Sequence, residues 1–148
     1  MRIFVKILIA VLVLFSLYEV FKYVKKYSTH PAMERFDDIP PVINELKRDL
    51  AVVHPAFATT RIVKGDQSYT LNKKKVFLCL TDKKTGKMYD KNMLTYVLIH
   101  EMAHVLNKAD EGHTPAFHKK MDELLDIAEK KGVYDPRIPL VDDYCPEH

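Results

Sequence analysis

Residues 100–104 read His-Glu-Met-Ala-His and match the pattern H-E-x-x-H. Residues four apart on a helix lie on one face, one turn apart, so the imidazoles of His100 and His104 can reach the same metal ion. Imidazole nitrogen is a usual zinc ligand, with bonds of about 2.0–2.1 Å. Glu101 points to the side of this pair, where it can take a proton from a water on the metal without ligating the metal itself. The motif therefore predicts a zinc site with a general base beside it.

Two histidines leave such a site incomplete, because a catalytic zinc normally has three protein ligands and one open position. His113 is the preferred third ligand. It follows His104 by nine residues, stands just before the start of the next predicted helix, and comes after a turn that reverses the chain. Asp110, His118 and Glu123 are the alternatives that the spacing leaves open.

Two helices must position these side chains. Asp90 is a good N-cap for the first, which we expect to carry the motif and to run to about Lys108. Thr114 is the predicted N-cap of the second, with Pro115 at its first position and Gly132 just past its end. The turn between the two helices then carries His113.

Upstream of the motif, Pro40 and Pro41 open a predicted helix that ends before Pro55. Short β-favouring runs separated by turn residues follow this helix. We interpret them as a small antiparallel sheet, and the lysines between the last two runs as a solvated turn. The predicted fold class is α+β: a minimal zinc-peptidase-like domain with a small antiparallel sheet, the motif helix and a second, C-terminal helix. The runs are residues 58–64, 68–71 and 75–81.

The start of the chain has a different character. An apolar run over residues 7–18 is bracketed by basic residues, and apolar character resumes after Glu19. A segment from Ile3 to Val24 is long enough to span a bilayer if Lys6 and Lys22 extend to its two interfaces. We therefore predict an uncleaved N-terminal transmembrane helix and a single-pass membrane location, in preference to a cleaved signal peptide. The side of the membrane stays open, because positive charge flanks both ends.

These features predict three regions: a membrane anchor over residues 1–27, a linker over 28–39, and a metallopeptidase-like domain with an extended tail over 40–148. The formal net charge of +3 arises at the start of the chain, since five of the 23 basic residues but one of the 20 acidic residues lie within the first 26 positions. The remainder is close to neutral, which disfavours nucleic acid as a partner.

Two cysteines are too few for a disulfide framework. Cys79 lies inside the apolar run Val-Phe-Leu-Cys-Leu, so we interpret it as a small buried hydrophobic side chain. A single bridge to Cys145 stays open. The pair formed by Cys145 and His148 in the last four residues is left unassigned.

The stretches LIHEMAH (98–104) and GHTPAFHKKMDELL (112–125) resemble the WLM and SprT-like group of minimal zinc peptidases. That group shows H-E-x-A-H, a short turn, a histidine beside a glycine, and then an aromatic residue in a helix. The resemblance covers about residues 40–132 and implies a zincin fold, bound Zn²⁺ and a polypeptide substrate. Two departures stand out: His118 replaces a second aromatic residue, and basic DNA-binding extensions are absent. The apolar start and a Tyr-Cys pair near the end are also similar to small membrane proteins of large DNA viruses. The positions that match the WLM and SprT-like pattern are His100, Glu101, His104, Gly112, His113 and Phe117.

The function predicted from the sequence is therefore a membrane-anchored zinc metallopeptidase in which Glu101 acts as general base. His118, Tyr134 and Tyr144 are unranked candidates for a second oxyanion donor. Few strands and short loops predict a shallow cleft, suited to flexible polypeptide. The alternatives are a non-catalytic, zinc-stabilised interaction module tethered to a membrane and a zinc hydrolase of a non-peptide amide. The oligomeric state stays open.

Overall fold

The computed structural model describes residues 12–22, 39–109 and 111–145. The chain divides into two compact units, Met1–Asp38 and Ile39–His148. In the first unit, the described residues form helix α1 over residues 12–22. The second unit is α+β, as predicted. Its elements in chain order are α2 (Pro41–Leu50), α3 (Ala56–Thr59), β1 (Arg61–Lys64), β2 (Tyr69–Leu71), β3 (Lys75–Leu78), α4 (Lys91–Leu106) and α5 (Pro115–Lys130).

The transmembrane prediction is contradicted by the described helices. Within the described ranges, no helix has the length and apolar character needed to cross a membrane. The predicted transmembrane helix and single-pass membrane location are therefore wrong on this finding. The prediction depended on joining two apolar runs across Glu19 into one segment from Ile3 to Val24. The outer ends of that segment lie outside the described residues. The predicted linker over 28–39 lies outside them as well, apart from Ile39, and the division into three regions stays a prediction.

The sheet is mixed and not antiparallel as predicted. Its strand order is β1-β3-β2, with β1 parallel to β3 and β2 antiparallel to β3. The backbone N–H of Gly65 donates to the carbonyl of Leu78, so the pairing of β1 with β3 continues past the end of β1. A Cβ atom at Gly65 would lie 2.9 Å from Cβ of Phe77, and only glycine allows this close approach. The run after β1 passes to the far side of β3 instead of folding back as a hairpin.

Helix α2 agrees with the prediction, with Pro40 at its N-cap and Pro41 at its first position. Helix α3 was not predicted, because Thr59 and its neighbours favour strands and were assigned to the first β-run. The imidazole of His54 accepts the backbone N–H of Ala56 over 3.1 Å and starts this single turn. The first strand therefore begins later, at Arg61.

Helix α4 is the centre of the second unit and packs against α2, α5, β2 and β3. The carboxylate of Asp90 accepts the N–H of Met93 over 3.0 Å, which confirms the predicted N-cap. Each Å² of apolar surface that the helix buries stabilises the fold by about 25 cal/mol, and this burial holds the helix against the sheet and the neighbouring helices. Its completely buried side chains are Leu94, Leu98, Ile99, Met102 and Ala103.

Cys79 and Cys145 form a disulfide, with their Cα atoms 6.4 Å apart. The side chain of Cys79 is buried, as predicted, and it forms the bridge to Cys145 that the sequence left open. The bridge ties the tail to the chain just after β3. The tail is also held by the N–H of Cys145, which donates to the hydroxyl of Tyr89 over 3.1 Å.

Candidate metal centre

Helix α4 places His100 and His104 one turn apart on its partly exposed face. The opposite faces of the helix are buried in the core, so the helix cannot rotate the two histidines away from the surface without unpacking. Their ring centroids lie 5.1 Å apart. Both imidazoles are half-buried and open to a pocket of about 470 Å³.

His113 reaches this pair from the turn before α5. Gly112 has φ of +78°, a conformation that glycine adopts without strain and that turns the chain back toward α4. Thr114 caps α5 by accepting the N–H of Phe117 over 3.3 Å, as predicted. Nε2 of His113 lies 3.1 Å from Nε2 of His100. The structure thus brings together the three predicted ligands, with one nitrogen of each within 4.8 Å of the others.

Phe117 forms the floor beneath the three histidines. It is completely buried, and its ring centroid lies 4.3 Å from that of His104 and 5.0 Å from that of His100. The distance to the ring of His113 is 4.8 Å. An apolar floor of this kind limits the directions in which the imidazole rings can turn, and so holds their nitrogen atoms toward the pocket.

The geometry and protonation of the histidines fit zinc. Two imidazole nitrogens bonded to one tetrahedral zinc lie about 3.3 Å apart, close to the 3.1 Å between His100 and His113. Burial, together with the nearby imidazoles of His104 and His113, lowers the pKa of His100 to about 4. Burial and the neighbouring charges of His113 and Lys73 also lower the pKa of His104. Both rings are therefore held toward the neutral form, which is the form that binds a metal.

Glu101 lies beside the histidines with 6% of its surface exposed, and it lines the same pocket. Thr70 on β2 donates to its Oε2 atom over 2.8 Å. Oε1 has no hydrogen-bond partner within the described part of the chain. Burial raises the pKa of Glu101, and the hydrogen bond from Thr70 opposes that rise. The carboxylate is thus held at one oxygen, and the other oxygen is left to accept a proton.

The other candidate ligands do not join the cluster. The ring of His118 lies 6.3 Å from that of His113, and its nitrogens are not part of the group of three. Glu123 is exposed and pairs with Lys120 over 2.7 Å. Asp110 lies outside the described residues.

One of the predicted oxyanion candidates, Tyr144, is engaged elsewhere. The hydroxyl of Tyr144 donates to the carbonyl of Cys79 and is 2.8 Å from Oγ of Ser68. Since a phenol has one hydrogen, Tyr144 cannot donate to a substrate without breaking that bond. Tyr134 packs against Tyr96, with ring centroids 6.0 Å apart.

Sequence reasoning missed two residues at this site. Thr70 was assigned to a strand, and no local signal marks its contact with Glu101, because the apolar residues Tyr69 and Leu71 are the exposed ones of β2. Lys73 was read as a solvated turn residue. Its ammonium group instead donates to the carbonyl of Asn107, the residue that ends α4, over 2.6 Å. Lys73 has a positive φ of 54°, and the turn that this angle forms allows the contact.

No protein-family model matches the chain. Three viral proteins are similar to it in sequence. Uncharacterized protein 042R of Invertebrate iridescent virus 3 is 48% identical over 89 residues, which are 60% of this chain and 55% of that protein. Uncharacterized protein 136R of Invertebrate iridescent virus 6 is 48% identical over 92 residues, or 60% of this chain and 51% of the relative. Uncharacterized protein R325 of Acanthamoeba polyphaga mimivirus is 38% identical over 68 residues, which are 45% of this chain and 34% of that protein. The match thus spans about half the length of the first two relatives.

One solved structure shares the fold. The crystal structure of Wss1 from Saccharomyces cerevisiae superposes with a TM-score of 0.52 over 62% of this chain and 79% of Wss1, at 18% sequence identity. At that identity the similarity concerns the fold. The sequence matches to viral proteins support the predicted resemblance to proteins of viruses. Nothing in these comparisons supports the prediction that the resemblance is to membrane-anchored proteins.

Proposed function

We propose that this protein is a zinc-dependent peptidase. The observation that carries the proposal is the placement of three histidine nitrogens within 4.8 Å of one another, with the buried carboxylate of Glu101 lining the same pocket. The similarity of the fold to Wss1, a WLM-family zinc metalloprotease, supports the same chemistry. In this proposal His100, His104 and His113 hold Zn²⁺ and Glu101 is the catalytic base.

Zinc bound to the three histidines supplies Lewis acidity, which lowers the pKa of a water molecule and polarises a substrate carbonyl. Glu101 takes a proton from the attacking water at Oε1, since Thr70 holds Oε2. Glu101 then delivers that proton to the leaving amine nitrogen as the C–N bond breaks. Burial raises the pKa of Glu101 and so makes its carboxylate a better proton acceptor.

The substrate in this proposal is a flexible polypeptide. The pocket over the histidines is open to solvent, and strand β2 lies along it at one edge of the described sheet. The outer backbone of an edge strand can pair with an extended peptide, which brings a peptide bond to the site without a deep cavity. A folded protein would need a local extended segment to bind in this way.

The test compares wild-type protein with Glu101→Gln after loading with zinc, using a denatured protein as substrate. Glutamine keeps the shape of the side chain and removes its basicity. We expect one zinc per chain in both forms, cleavage by the wild type, and a loss of at least ~100-fold in the rate of cleavage by the variant. Equal cleavage by both forms would show that Glu101 is not the base.

The same experiment separates the two alternatives. Zinc binding by both forms with no cleavage of any protein would indicate a structural zinc module, which needs no general base. Cleavage of acylated amines that are not peptides, with Glu101→Gln inactive and proteins left intact, would indicate an amide hydrolase. Either result would overturn the peptidase proposal.

A further inference from the structure

A second pocket, which we call the tail pocket, lies beside the metal centre and has a volume of about 400 Å³. It shares His100 and Glu101 with the pocket over the histidines, so the two are continuous at the catalytic base. Its volume is within the range of about 300–1,000 Å³ found for small-molecule sites. A side chain of a substrate bound at the centre could therefore enter it.

One wall of the tail pocket is the apolar continuation of the metal-binding face of α4. Met93 and Val97 line the pocket and expose 4% and 7% of their surfaces. Along the helix axis, Val97 precedes His100 by about 4.5 Å and Met93 precedes it by about 10 Å. When the carbonyl of a substrate is held at the histidines, one neighbouring side chain of that substrate can therefore reach this wall.

The opposite wall comes from the tail, through Tyr144 and Cys145. The polar atoms of this wall are already paired. The hydroxyl of Tyr144 donates to the carbonyl of Cys79 and therefore accepts from Oγ of Ser68. Oγ of Ser68 also accepts the N–H of Cys79 over 2.9 Å. A ring whose hydroxyl is satisfied in this way offers its apolar surface to the pocket.

Two anchors hold this wall in place. The disulfide joins Cys145 to Cys79, and the three-residue network just described joins Tyr144 to the same point of the chain. Cys145 adopts φ of 40°, a conformation rare for residues other than glycine. Apart from the disulfide, the hydrogen bond from the N–H of Cys145 to Tyr89 and the network of Tyr144 hold this backbone. We expect that these contacts alone do not keep the wall in place, so that it moves away from α4 when the disulfide is lost.

We infer that the tail pocket selects a large apolar or aromatic side chain of the substrate, next to the cleaved bond, and that the disulfide between Cys79 and Cys145 maintains this selectivity. The inference rests on the proposed peptidase function. Burying one large side chain between Met93, Val97 and Tyr144 favours a peptide with phenylalanine over the same peptide with alanine by about 10-fold or more.

The test measures binding separately from cleavage. The full chain with Glu101→Gln is loaded with zinc, and the anisotropy of fluorescent peptides that differ only by phenylalanine or alanine at one position is followed. The position is scanned along an otherwise glycine- and serine-rich peptide. We expect at least one position at which phenylalanine lowers Kd by about 10-fold relative to alanine.

Three variants then locate the preference. Met93→Ala and Tyr144→Ala, each combined with Glu101→Gln, are expected to reduce the ratio of the two Kd values to about 2 or less. Cys145→Ser is expected to do the same, as is reduction of the parent protein with dithiothreitol. Ile138→Ala is the matched control, because Ile138 is apolar, exposed and outside the pocket, and it should keep the ratio.

The outcomes distinguish this inference from the peptidase proposal. A binding preference that depends on Met93, Tyr144 and the disulfide supports the tail pocket, even if wild-type protein cleaves nothing and the peptidase proposal fails. A ratio near 1 at every position overturns the inference, whether or not the protein cleaves peptides. A ratio that survives in all three variants and after reduction also overturns it, because the selective site must then lie elsewhere.

Discussion

Thr70 on strand β2 donates its hydroxyl hydrogen to Oε2 of Glu101 on helix α4 over 2.8 Å, and its oxygen also lies 3.0 Å from the backbone oxygen of Glu101. A hydroxyl has a single hydrogen, so the two acceptors share it or alternate. The contact joins the edge strand of the sheet to the motif helix at the carboxylate that we propose as the catalytic base. Thr70 is therefore a positioning residue for Glu101 in the proposed mechanism.

Replacing Thr70 with valine removes this hydrogen bond and keeps the shape of the side chain. We expect kcat/KM for peptide cleavage to fall by about 10–100-fold while the zinc content stays the same. The hydrogen bond lowers the pKa of Glu101, so its loss raises that pKa. The acidic limb of the plot of kcat/KM against pH should therefore shift to higher pH. Thr70→Ser restores the hydroxyl and should recover most of the activity, and an unshifted pH profile in Thr70→Val would contradict the positioning role.

His113 provides a direct test of the third ligand. Removing one of three protein ligands leaves a site of two histidines, so we expect His113→Ala to weaken zinc binding by at least ~100-fold. The measurement is competition with a chromophoric chelator at pH 7.5. Glu123→Ala is the matched control, because Glu123 is an alternative ligand by sequence but is exposed and paired with Lys120. Equal weakening by the two substitutions would show that the ligand set is wrong.

The parts of the site that could be predicted are those encoded over short distances. The spacing of four between His100 and His104 needs only a helix, and Asp90 supplies the signal for the start of that helix. His113 could be proposed because Thr114 and Pro115 mark the start of the next helix. Each of these inferences depends on residues within about one or two turns.

The features that sequence reasoning missed depend on contacts between distant residues. The order of the strands, with β3 between β1 and β2, rests on pairing between strands that no local pattern reveals. The bond from Thr70 to Glu101 joins residues 31 apart, and the disulfide joins residues 66 apart. The transmembrane prediction failed for a different reason. Hydropathy scores the composition of a segment, whereas the described part of the chain holds no helix with the length and apolar character that a membrane span needs.

The disulfide closes a loop with a sequence separation of 66. On the loop-entropy model, a loop of this size restricts the unfolded chain enough to stabilise the fold by about 4 kcal/mol. We therefore expect Cys145→Ser to lower the free energy of unfolding by about 2–4 kcal/mol in urea denaturation monitored by circular dichroism.

Reduction provides the control for this prediction. Wild-type protein in dithiothreitol should unfold at nearly the same urea concentration as the variant, and dithiothreitol should not change the midpoint of the variant. An unchanged free energy of unfolding in Cys145→Ser would show that the bridge does not form in solution.

The buried phenol of Tyr144 predicts a loss of stability at high pH. Burial raises the pKa of this hydroxyl from 10.0 to about 12, so the folded protein keeps the proton over a range in which the unfolded chain releases it. The direction follows from linkage: below pH 10 both states hold the proton and stability is unaffected, whereas between pH 10 and 12 the unfolded state binds fewer protons and stability falls as pH rises. Each pH unit in that window lowers the free energy of unfolding by at most about 1.4 kcal/mol.

The measurement compares urea midpoints at pH 9, 10 and 11 for wild type, Tyr144→Phe and Tyr69→Phe. Tyr144→Phe removes the titrating group, so its free energy of unfolding should fall less between pH 10 and 11, by roughly 1 kcal/mol, than that of the wild type. The variant should also be less stable at pH 9, because the carbonyl of Cys79 and the hydroxyl of Ser68 lose a partner. Tyr69 is 44% exposed, and its replacement should keep the wild-type dependence on pH. Parallel curves for wild type and Tyr144→Phe would mean that the tail does not bury this hydroxyl, and the wall that it forms beside the metal centre would then be absent in solution.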